Sequence, residues 1–110
     1  MDELSRKTLA ELASILGIPV EDILSHCRRA ELVDARSMIV AYLSERMHAR
    51  QQDIALLLDI SQAAVSKLYS RHRALVGNYS DYRQYFETLL RSFTETEIEN
   101  NTINHKLKNE

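Results

Sequence analysis

Apolar residues along this chain recur three and four apart, and six helical segments follow from that spacing. The first spans about Glu3 to Leu16, with Leu4, Leu12, Ile15 and Leu16 on one face and Gly17 as a left-handed stop. Pro19 suits a first helical turn, so "PVEDILSH" predicts a short second helix that turns Val20, Ile23 and Leu24 inward. After a basic break at "CRRAE", a third and longer helix is expected from about Glu31 to Met47. Its stripe of Leu32, Ala35, Ile39 and Leu43 is flanked by Val33, Val40 and Met47, a breadth that suits a central helix packed on several neighbours.

The fourth segment covers roughly Arg50 to Leu58. The fifth starts after Ser61 and runs to about Val76, with Val65, Leu68, Tyr69, His72 and Val76 spaced for one buried face and Gly77 ending it. A sixth is expected from about Asp81 to Phe93, capped by Ser80, with Tyr82, Phe86, Leu89, Leu90 and Phe93 as its apolar stripe. From Thr94 onward aromatics disappear and aliphatics thin out, which predicts a polar, disordered tail. The expected architecture is all-α: a compact domain of five or six helices over residues 1–93, then the tail over 94–110.

The fourth and fifth segments are separated by almost nothing, and "DIALLLDISQAAVSKLY" meets the local demands of a helix-turn-helix. Ala55 supplies the small residue where two helices cross closely, and Leu58 and Ile60 flank the turn as buried apolar side chains. Ser61 supplies an N-cap. Asp59 occupies a position that favours positive φ and so prefers glycine, and aspartate is among the few other residues that tolerate it. With Ala64, Val65 and Leu68 inward, the outward face of the fifth helix is Gln62, Ala63, Ser66, Lys67 and Ser70, with Arg71 at its edge.

That face is unusual for a solvated helix, because no acidic residue occurs from Ile60 to Asn78. Gln62 suits an adenine edge, the Ala63 methyl a thymine methyl, and Ser66 and Lys67 a base or phosphate. Ser61 and the free amides at the helix start suit a phosphate. The plain alternative is a helical hairpin whose polar face only meets water.

Composition is compatible with one domain and one core: 110 residues, 45% hydrophobic, two glycines and one proline. No apolar run approaches the roughly 20 residues that cross a bilayer. "MDELSRKTLAEL" is acidic and amphipathic where a signal peptide is basic and then apolar, so the expected compartment is the cytoplasm. Cys27 is the sole cysteine, which excludes an internal disulfide and a cysteine-based zinc cluster and suits a half-buried small side chain. The net charge of −2 hides an uneven distribution. Residues 28–73 carry eight basic and five acidic side chains, while both ends are acidic.

From about Ile15 to Leu75 the chain resembles the C-terminal DNA-binding domain of the bacterial chromosomal replication initiator DnaA, in the wider Trp-repressor-like helix-turn-helix group. The matching stretches are "IPVEDILSHCRR", then "LVDARSMIVAYL", then the two helices and their turn. The resemblance implies that Arg28, with Arg29 beside it, enters a minor groove and that Arg36 contacts the DNA backbone. The family's Arg-Asp-His-Ser/Thr-Thr-Val signature is absent: Ser61, Gln62, Ala63, Ala64 and Val65 stand there, in a turn about one residue shorter. A Gly-rich phosphate loop is absent too, and with it the ATPase of a full initiator.

The expected function is therefore sequence-specific binding of double-stranded DNA, as a small regulator of transcription or replication. The expected contacts are Arg28, Arg29, Arg36, Arg50, Ser61, Gln62, Ala63, Ser66, Lys67, Ser70 and Arg71. A different class is a protein-interaction module in which the sixth helix, with Tyr79, Tyr82, Tyr85, Phe86 and Phe93, docks a partner or a second copy, although such a stripe more often is core. The two are compatible, since repressors of this size commonly bind as homodimers. An enzyme is not expected. His26, His48, His72 and His105 are scattered without ligand or nucleophile–base spacing, so neither metal, cofactor nor small-molecule substrate is indicated.

Overall fold

A computed structural model describes residues 3–93, so the tail expected from Thr94 lies outside the described residues. The fold is all-α: α1 Glu3–Leu16, α2 Val20–Leu24, α3 Ala30–Glu45, α4 Gln51–Leu58, α5 Gln62–Asn78 and α6 over residues 80–93. Among the described residues there is no strand.

Helix α3 is the axis of the core. Every residue from Ala35 to Leu43 is buried, which a helix achieves only when neighbours cover it all round. α1, α2, α4 and α5 all pack against it. α1 contributes Leu9, Leu12, Ala13 and Leu16, α4 contributes Ile54 and Leu58, and α5 contributes Val65. Tyr82, Phe86, Leu89 and Phe93 close the core from α6, with the Phe93 ring 4.7 Å from that of Tyr42 on α3. The aromatic stripe of the last helix is thus spent on the core, and of its tyrosines only Tyr85 stays exposed, beside Tyr79 in the preceding link.

Several local expectations need correction. Leu4 lies outside the core face and is exposed, because the buried face of α1 runs through Thr8 and Leu9 instead. Cys27 is exposed. α3 ends at Glu45, so Met47 packs from the connection after it. Gly17 does stop α1, at φ +71°, with the Ile18 amide donating back to Ala13. Gly77 does not stop α5. The last carbonyls there find other donors: Asn78 Nδ2 bonds Ala74, the Tyr79 amide bonds Leu75 and Arg83 Nη1 bonds Val76. Helix α6 then begins at Ser80, leaving only extended Tyr79 between the two helices, so Ser80 is its first residue and not its cap.

His72 ties three helices together. It is 3% exposed on α5, its Nδ1 lies 2.8 Å from the Tyr82 hydroxyl of α6, and its ring meets Phe86 edge-on at 4.4 Å. Burial holds its pKa below the ordinary histidine value, and the partly exposed Glu45 carboxylate 3.9 Å from Nε2 does not reverse that. Burial, and then the charge of Asp34, raise the Tyr82 phenol, so it keeps its proton. With the imidazole neutral, we assign the Tyr82 hydroxyl as donor to Nδ1, which puts the ring proton on Nε2, 3.9 Å from the Glu45 carboxylate.

Candidate nucleic-acid interface

The link between α4 and α5 is three residues, Asp59 to Ser61. Asp59 takes the left-handed conformation, φ 57° and ψ 48°, which reverses the chain and lets the Ile60 amide close the end of α4 on Ala55 at 3.0 Å. Ala55 and Leu58 are buried and Ile60 is half-buried. Ser61 stays extended, and its Oγ accepts the Ala64 amide at 3.0 Å while its carbonyl accepts that of Val65. The amides of Gln62 and Ala63 precede the first bond of the helix.

Gln62, Ala63, Ser66, Lys67 and Ser70 all lie on the exposed side of α5, opposite buried Val65 and His72, and Ala64 is half-buried between. The sequence pattern and the fold agree on this face. Helices α1 to α4 each carry an acidic residue in the first turn, the usual complement to the partial positive charge there. α5 carries none.

The expected basic contacts divide into four kinds. Arg28 is exposed between α2 and α3, and Lys67 is exposed on α5; neither is in a salt bridge among the described residues. Arg29 and Arg50 make surface pairs, at 3.8 Å with Glu31 and 3.1 Å with Asp53, of the kind that contributes little and exchanges easily. Arg71 is more committed, with Nε and Nη2 both donating to Asp34 Oδ1 at 3.2 and 2.9 Å.

Arg36 is a correction. Expected at the DNA backbone, it is 8% exposed and donates inward: Nε to the carbonyl of Ile23 at 2.8 Å, Nη1 to Cys27 at 2.8 Å, and Nη2 to Ser25 at 2.7 Å and Asp22 at 3.1 Å. Those carbonyls end the short α2 and begin the loop that bears Arg28 and Arg29. A guanidinium supplies several donors in one rigid plane, which is what a cluster of converging carbonyls requires. A basic residue set on the buried side of α3, four after Leu32 and three before Ile39, was the available signal.

Among the described residues no three His, Cys, Asp or Glu side chains gather to hold a metal ion, and no helix is long and apolar enough to cross a membrane. Comparison with family models, with curated proteins and with solved structures finds no match for this chain.

Proposed function

We propose that this protein binds double-stranded DNA sequence-specifically, with α4, the turn and α5 acting as a helix-turn-helix and α5 entering a major groove. The observation that carries the reading is the exposed face of α5: small, polar, without acidic residues, and set directly behind a capped N-terminus. Gln62 and Ser66 read base edges, Ala63 meets a thymine methyl, and Lys67, Ser70 and Ser61 hold phosphates. Arg28 and Arg29 reach a neighbouring backbone or minor groove from the loop that Arg36 holds. The resemblance to the initiator's DNA-binding domain belongs to this proposal, with Arg36 reassigned from DNA to its own loop. Its place is regulation of transcription or replication in the cytoplasm, by binding and not by catalysis.

The test is selection from a randomised duplex pool at two salt concentrations, with wild type beside a Lys67→Ala, Arg28→Ala double variant. Wild type should enrich one motif and the variant should not. If neither binds at low salt, the α5 face is solvated surface and the reading fails.

A further inference from the structure

The C-terminal ends of α1 and α5, the first half of α3 and the start of α6 do not close on one another. They leave an open cavity of about 560 Å3, a size typical of small-molecule sites. Its floor is apolar, made by Leu16, Ala35, Met38 and Tyr82, all buried core side chains. Its mouth differs. Tyr79 and Tyr85 stand there 61% and 53% exposed, and the carboxylates of Glu31, Asp34 and Asp81 complete a lining that contains no lysine, arginine or histidine.

Each part selects in the same direction. Burying hydrocarbon on the floor is favourable for any apolar ligand. The faces of two tyrosine rings attract a cation through their quadrupole. The carboxylates attract a cation and repel an anion. Glu31 and Asp34 are shared with Arg29 and Arg71, while Asp81 is in no ion pair among the described residues. We propose that this cavity binds a small lipophilic monocation, an aryl- or alkylammonium compound, with its hydrocarbon body on the floor and its ammonium group between the tyrosines and Asp81. The proposal does not rest on the DNA-binding reading, although Glu31 and Asp34 pair with Arg29 and Arg71 of that reading.

The experiment titrates the 15N-labelled full chain at neutral pH with three matched probes: naphthylmethylammonium, naphthylmethanol and naphthylacetate. Saturable shifts are expected for the ammonium at the amides of Ile18, Met38, Tyr79 and Tyr85, with affinity at least about tenfold above that of the alcohol. The acetate should not bind. Asp81→Asn and Tyr79→Leu, both at exposed positions, should each weaken the ammonium about threefold or more and leave the alcohol unchanged. Equal binding of all three probes, an ammonium preference that survives both substitutions, or no shift at millimolar probe overturns the proposal.

Discussion

The guanidinium of Arg36 is buried with four backbone carbonyls as acceptors, and that environment decides what replacing it does. Arg36→Met removes the charge and leaves the carbonyls of Ile23, Ser25 and Cys27 without this donor, while that of Asp22 keeps the Ser25 amide and hydroxyl. The expected cost is about 3–5 kcal/mol, read as a lower urea midpoint. Arg36→Lys keeps the charge but offers a compact ammonium in place of a fork, and recovers only about half of that. Were Arg36 a DNA contact with no structural duty, both variants would unfold like wild type. Gln62 is the opposite case. It is exposed on α5, so Gln62→Ala should leave the unfolding curve unchanged and cost about 1–3 kcal/mol of binding at the preferred duplex only.

The turn between α4 and α5 depends on two backbone choices, Asp59 in the left-handed region and Ser61 as cap. Asp59→Val places a β-branched residue at φ 57° and should destabilise by about 1–2 kcal/mol, whereas Asp59→Gly removes the strain. Ser61 permits a sharper division between folding and function. Aspartate caps as well as serine and suits the positive end of the helix, so Ser61→Asp should hold or raise the melting temperature. It also places a carboxylate where the proposed phosphate lies. DNA affinity should therefore fall while stability does not, and a parallel fall or parallel constancy of the two would remove Ser61 from the interface.

Across the molecule, His72 links α5 to both α3 and α6, and its protonation state couples folding to pH. Its folded pKa is lowered by burial, so below the unfolded value of about 6.5 the unfolded chain binds the proton more readily than the fold. Stability is thus fully present above that pH and declines as pH falls toward the lowered folded value. Melting temperature should drop between neutral pH and about pH 5. His72→Leu, whatever its starting stability, should lose most of that slope. The proposed DNA contact has its own whole-molecule signature: Arg28→Ala should weaken all duplexes and reduce the salt slope by about one unit if it meets phosphate.

Periodicity was sufficient to place six helices and the central position of α3, because apolar spacing reports directly which side of a helix leaves water. The αL turn at Asp59 and the cap at Ser61 were legible for a similar reason: their chemistry acts within four residues. The exposed side of α5, Gln62, Ala63, Ser66, Lys67 and Ser70, could be named from spacing alone. What needed the fold was everything set by partners distant in sequence. The buried-side position of Arg36 was legible, but its partners were not until α2 brought its carbonyls across, and Gly77 ended nothing because Arg83 and Tyr79 satisfied the carbonyls there. The aromatics of α6 read more readily as core than as a docking face, and the rings of His72 and Tyr42 against them decide for core. The cavity beneath Tyr79 and Tyr85 has no local pattern at all, since it is the space four elements fail to fill. Local backbone chemistry was thus determined by sequence, whereas the assignment of each charged or aromatic side chain to core, loop or solvent came from tertiary packing, which sets the partners that compete with water for it.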